Sequence, residues 1–128
     1  MNYSIDEIKE ELIKTLRFLE KYNIDYLVVG QSETYKLGFP KVLMLKHLGK
    51  NEDDFLDKET ELYNKMLISI LKPENFIDIY KSKQIKHIDS SGKIPYMFDS
   101  NHYSKFGADQ IVDKIISQRI EDKLKQKK

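Results

Sequence analysis

The chain has 128 residues, the length of a single domain that removes roughly two-thirds of its unfolded surface from water. Its 22 Lys and Arg nearly balance 21 Asp and Glu for a formal charge of +1, which excludes the strongly basic surface of a nucleic-acid groove or a polybasic membrane face. There is no cysteine, so disulfides, a thiolate nucleophile and Cys-ligated zinc are excluded as well. The opening "MNYSIDEIKEEL" is acidic and amphipathic where a signal peptide is basic and then apolar. No run reaches the roughly 18 apolar residues of a membrane span, so a soluble chain without membrane insertion is expected.

Ser4 followed three residues later by Glu7 is a capping box, in which each side chain satisfies a backbone N–H of the first turn. Ile5, Ile8, Leu12, Leu16 and Leu19 then recur on one face, predicting an amphipathic helix that ends near Asn23. "IDYLVVG", residues 24–30, is short, apolar and partly β-branched, and predicts a strand buried on both faces of a parallel sheet. Residues 31–50 hold Gly38, Pro40 and Gly49 around a short apolar stretch and read as a long loop with a single helical turn. Such loops at the carboxyl ends of strands line ligand crevices. A second helix is predicted from about Glu52 to Leu71, with acidic residues in its first turn, Leu62, Met66 and Ile70 on one face, and Pro73 enforcing the stop.

"NFIDIY", residues 75–80, reads as another short strand, and residues 81–103 lack periodicity and read as an extended loop. Ser104 is placed to cap the last helix, whose apolar face is Ala108, Ile111, Val112, Ile115 and Ile116. Residues 121–128, ending in "KLKQKK", read as a frayed, solvated tail. The order helix, strand, loop, helix, strand, loop, helix is that of an α/β domain with a parallel sheet. Two strands are few for three amphipathic helices, so the chain reads as the second half of a larger domain.

One stretch carries chemistry: "MFDSNHYSKFGADQIVDKI", residues 97–115. Ester hydrolysis by a serine needs an imidazole base within reach of the hydroxyl and a carboxylate that fixes the imidazole's tautomer. Asp99 and His102 are three residues apart in a loop, close enough for the carboxylate to fold back onto the ring, and a cap at Ser104 would stiffen the loop just after the histidine. Spacing alone leaves two readings open, a catalytic pair and a polar pair in a solvated loop before a helix.

The wider text, Asp99-Ser-Asn-His102-Tyr-Ser104-Lys-Phe-Gly107-Ala108, resembles the last block of the SGNH (GDSL-like) hydrolase superfamily. More narrowly it is similar to the SGNH domain attached to membrane-bound O-acyltransferases that modify bacterial surface polysaccharides. In that family the block runs as a hydrophobic residue and Asp, two variable residues, His-Leu-Ser, two more, and Gly-Ala; Tyr103 stands at the leucine. The resemblance implies that Asp99 and His102 are the triad aspartate and histidine, with Ser104 a structural cap and Gly107 a close-packing position. Upstream, "LRFLEKYNIDYLVVGQSETY" and "LGFPKVLMLK" resemble the family's helix, strand and Gly-Gln turn, with Glu33 where proline is common. This makes Gln31 and Ser32 candidate crevice-lining residues. Where the family often has a cysteine pair, this chain has Ser90-Ser91. The resemblance covers most of residues 10–120.

What the resemblance implies is a three-layer α/β/α flavodoxin-like SGNH fold, of which this chain carries the carboxyl-terminal portion. It also implies transfer or removal of an acyl group, most often acetyl, on a sugar hydroxyl of cell-surface carbohydrate, with no cofactor and no metal. The implied partners are the acylated carbohydrate and either a missing amino-terminal half or a membrane acyltransferase domain. The family's domain faces the periplasm, and a cytoplasmic location stays open for a free-standing chain. The family's Gly-Asp-Ser block, glycine block and asparagine block do not occur in these residues. The nucleophile is therefore expected on a segment upstream of Met1, and this chain alone is expected to be inactive. Ser32 is not expected to replace it, because no Asp precedes it to complete Gly-Asp-Ser. His47 and His87 are dispersed and form no His-x-x-x-His pair, so no metal site is expected, and no glycine-rich phosphate loop is present. A non-catalytic SGNH-like remnant that binds carbohydrate or a partner, and an unrelated α/β domain with a chance match, stay open as alternatives.

Overall fold

Ser4 starts the first helix as its spacing predicts. In the computed structural model, which describes residues 3–126, α1 spans Ile5–Lys21. The Ser4 hydroxyl accepts from the Glu7 N–H at 3.2 Å, and the Glu7 carboxylate accepts from the Ser4 N–H at 3.4 Å. Asn23, at φ 55°, turns the chain out of the helix in the left-handed conformation that asparagine tolerates. The remaining elements are β1 (Val28–Val29), α2 (Phe39–His47), α3 (Glu59–Ile70), β2 (Phe76–Ile77), α4 (Lys105–Ile111) and α5 (Ser117–Lys125), the last two joined by a π-helical stretch over Val112–Ile116. The chain is thus a mixed α/β structure, rich in helix, with one two-stranded sheet among the described residues. None of its described helices is long and apolar enough to cross a membrane.

The two strands pair in parallel, with Val28 opposite Phe76 and Val29 opposite Ile77. Successive residues of a strand face opposite ways. Phe76 accordingly joins a cluster with Leu16, Met66, Leu67 and Leu71, while Ile77 joins a larger one with Phe39, Val42, Tyr96, Met97 and Ile111. β2 is therefore buried on both faces. β1 is not, contrary to the expectation for "IDYLVVG": Val28 packs only partly against the first cluster, and Val29 is 39% exposed. After β1, the Gly30 N–H donates to Ile77 O at 2.9 Å. A Cβ on Gly30 would lie 2.8 Å from the Phe76 ring and 2.9 Å from Asn64 Oδ1, so only glycine lets the chain pass this close.

Further expectations are corrected. Residues 31–50 are not a loop with one helical turn, because α2 occupies nine of them; Pro40 sits in its first turn, where a missing N–H costs nothing, and Phe39 and Val42 are fully buried. The helix expected from Glu52 to Leu71 is broken. Asn51 caps a 3-10 turn over Glu52–Phe55, accepting from the Asp53 N–H at 3.0 Å. Leu56 then bridges Tyr35, and the Asp57 N–H donates to Thr34 O at 2.8 Å, drawing the chain away before Asp57 Oδ1 accepts from the Glu59 N–H and α3 begins. Within α3, Leu62 is 51% exposed, and it is Met66 and Leu67 that face the core. In the final helix Ile111 and Ile115 are buried as expected, whereas Val112 is 47% exposed. Of the segment read as a tail, residues 121–125 continue α5, and Lys127 and Lys128 lie outside the described residues.

Candidate functional site

The loop before α4 is fastened at both ends. Met97 and Tyr103 form an antiparallel bridge, and the Phe98 N–H donates to His102 O at 3.1 Å. On the helix side, Ser104 does three things. Its N–H donates to Tyr96 O at 2.9 Å, its hydroxyl donates to Pro95 O at 2.6 Å, and the same hydroxyl accepts from the Gly107 N–H at 3.2 Å as the cap of α4. Gly107 lets the helix lie directly on the preceding chain, since a Cβ there would fall 2.1 Å from Tyr96 O. At the tip, the carbonyls of Asp99 and Ser100 accept from the N–H groups of Phe39 (3.0 Å) and Tyr35 (2.9 Å), which ties the loop to the start of α2.

Within this frame Asp99 folds back on His102. Oδ1 accepts from the backbone N–H groups of Asn101 at 2.9 Å and His102 at 2.7 Å, and Oδ2 lies 2.7 Å from His102 Nδ1. The Asn101 N–H foremost, with the His102 ring and its N–H, holds the Asp99 carboxyl below the usual carboxylate range. An ionised carboxylate only accepts hydrogen bonds, so Nδ1 carries a ring proton, and in the neutral ring Nε2 keeps its lone pair. The pair is open to solvent, with side-chain exposures of 66% for His102 and 41% for Asp99. Phe98, itself exposed, lies nearly parallel to the imidazole with ring centres 5.8 Å apart. Such an imidazole is equipped to take a proton at Nε2.

The other expected site residues are engaged elsewhere. Ser32 donates its hydroxyl to Glu33 O at 2.9 Å. Beside it the Tyr103 hydroxyl is buried, its proton held up to about 12 chiefly by burial, and it completes no hydrogen bond of normal geometry among the described residues. Gln31 is exposed, and its backbone N–H and C=O are both held by the Asn64 side chain, at 2.8 and 3.0 Å. Ser104 is fully occupied as a cap. Among the described residues no serine hydroxyl is hydrogen-bonded to His102. His47 is exposed in the last turn of α2.

A second polar cluster was not visible in the sequence. Glu52 accepts from the Tyr35 hydroxyl at 2.9 Å and from Lys46 at 3.2 Å, and lies 2.5 Å from His87 Nδ1. Tyr35 in turn shares a 2.6 Å hydrogen bond with Tyr96, whose ring stacks on His87 at 4.1 Å and 4°. Burial raises Glu52, but hydrogen bonding and charge from His87, with Tyr35 and Lys46, overcome it and hold the carboxyl at about 2. Burial pushes the neighbouring Glu33 up, against the N–H of Lys81. The acidic run around Glu52 reads locally as a helix start, and nothing in the sequence points from it to His87. Comparison with known proteins gives no match to this chain, whether among family models, curated proteins or solved structures.

Proposed function

We propose that Asp99 and His102 are the carboxylate and general base of a Ser-His-Asp acyl-transfer site, and that the chain is the carboxyl-terminal part of a three-layer SGNH-type domain. The domain acts on acyl esters, acetyl foremost, of carbohydrate hydroxyls. The observation that carries this reading is the 2.7 Å contact between Asp99 Oδ2 and His102 Nδ1, in a loop whose other carboxylate oxygen is locked by two backbone N–H groups. Apolar packing on both faces of β2 supports the three-layer arrangement.

In this mechanism the nucleophilic serine comes from a segment outside these residues. As its oxygen bonds to the ester carbonyl carbon, His102 Nε2 takes the hydroxyl proton, and Asp99 balances the imidazolium. Collapse of the tetrahedral intermediate breaks the bond to the sugar oxygen, which receives that proton and leaves. The acyl-serine then passes its acyl group to water or to an acceptor hydroxyl: His102 takes the proton of the incoming hydroxyl, the bond to the serine oxygen breaks, and that oxygen leaves with the proton from His102. Phe98 is placed to shield one face of the ring from water.

The exposure of the pair, and the lack of a serine bonded to it among the described residues, favour one competing reading: a non-catalytic domain that binds carbohydrate or a partner. One experiment separates the two. The protein is expressed with whatever coding sequence precedes residue 1 in its gene and treated with a fluorophosphonate, which reports an activated serine. The catalytic reading predicts labelling that His102→Ala abolishes, and no labelling of residues 1–128 alone. Labelling that is absent from the extended protein, or unchanged by His102→Ala, supports the binding reading.

A further inference from the structure

A cleft of about 510 Å³ opens beside the Glu52–His87 cluster, and neither Asp99 nor His102 lines it. Its acidic groups are already neutralised from within. Glu52 has one oxygen on His87 and Tyr35 and the other on Lys46. Asp53 is paired with Lys81 at 3.1 Å. Glu33 is 3% exposed, and burial favours its uncharged form. Little acceptor capacity is left for a cation or a sugar hydroxyl.

Donors are in surplus. Lys83 and Lys86 line the same cleft and form no ion pair among the described residues. His87 is held by Glu52 at Nδ1, by the Tyr96 ring on its face and by the Phe39 ring at its edge. Its Nε2 is left without a hydrogen bond among the described residues, and in the charged form of the ring it is a fixed N–H donor. A donor held this rigidly loses little entropy on binding. Leu43, Ile85 and Ile88 add an apolar wall. Polar donors and apolar side chains lining one cleft of this size are the composition of a small-molecule site.

We propose that this cleft binds a small organic oxyanion. The anionic head, a phosphate ester or a carboxylate, sits against Lys83, Lys86 and His87, and the carbon body lies along Leu43, Ile85 and Ile88. The site is independent of the acyl-transfer reading.

The test is an NMR titration of the full chain at constant ionic strength with glucose 6-phosphate, glucuronate and inorganic phosphate, following the His87 ring and the amides of residues 81–88. Saturable shifts confined to this region are expected with at least one organic anion, more tightly than with inorganic phosphate. The tighter of glucose 6-phosphate and glucuronate identifies the head group. The double variant Lys83→Ala, Lys86→Ala should weaken binding about tenfold or more, the scale of two charge-assisted contacts, with its melting temperature unchanged because both side chains are exposed. Shifts that do not saturate, that appear equally at Lys9 on α1, or that persist unchanged in the double variant would overturn the proposal.

Discussion

Replacing Gly107 with alanine puts a methyl carbon 2.1 Å from Tyr96 O and 3.0 Å from Tyr103 Cδ1. Carbon and carbonyl oxygen settle no closer than about 3.3 Å, so the start of α4 must withdraw from residue 96 by about an ångström. That movement pulls on two hydrogen bonds, from Ser104 N–H to Tyr96 O at 2.9 Å and from the Ser104 hydroxyl to Pro95 O at 2.6 Å. Two bonds at about 1 kcal/mol each, with about 1–3 kcal/mol for overpacking, give a loss of about 3–5 kcal/mol. At about 2.1 cal/mol/K per residue the unfolding entropy of this chain is about 0.27 kcal/mol/K, so the melting temperature should fall by about 10–20 °C. Thermal and urea unfolding followed by circular dichroism measure it. Gly38→Asp is the matched control: open space surrounds Gly38 and α2 lacks a side-chain cap, so the variant should gain a few tenths of a kcal/mol. A Gly107→Ala protein within about 0.5 kcal/mol of the parent would refute the close packing that positions the Asp99–His102 loop.

Tyr103→Phe removes a buried hydroxyl that completes no hydrogen bond among the described residues, and should leave the urea midpoint unchanged or raise stability by up to about 1 kcal/mol; a loss larger than that would mean the hydroxyl bonds Ser32. Glu52 makes a prediction with pH. Its folded carboxyl is held at about 2, below the ordinary 4.5, so the unfolded state binds more protons between these values and stability rises with pH there. The contribution is complete above about 4.5 and is lost as pH falls towards 2. With allowance for solvent screening it is about 1–3 kcal/mol over the whole window, of which roughly half to two-thirds falls between pH 6 and pH 3, and Glu52→Gln should flatten the stability difference between those pH values by that part. An undiminished difference in Glu52→Gln would place the acid sensitivity elsewhere.

The features legible in the sequence are those made by bonds within one turn or one loop. The capping box of Ser4 and Glu7, the Ser104 cap and the Asp99–His102 contact all join residues three apart, and each forms as expected. What the sequence hid depends on partners far along the chain. The break at Leu56 and Asp57 exists because Tyr35 and Thr34 pair with them, and α2 is held by burial of Phe39 and Val42 despite flanking glycines that suggest a loop. Val29 is exposed although its residue type promises burial, and it joins neither apolar cluster even though its register partner Ile77 lies in the larger one. His87 meets Glu52 only through the fold, so the polar cluster had no local signal.

The most direct test of the proposed catalytic pair is the tautomer of His102. Long-range proton–nitrogen NMR correlations of the imidazole, recorded above the pH at which the ring titrates, assign the proton to one nitrogen or the other. The Asp99 contact predicts the Nδ1–H form with an unprotonated Nε2, and Asp99→Asn should move the population towards Nε2–H. A parent protein already in the Nε2–H form, or an Asp99→Asn spectrum identical to the parent's, would contradict the assignment of His102 as an oriented base.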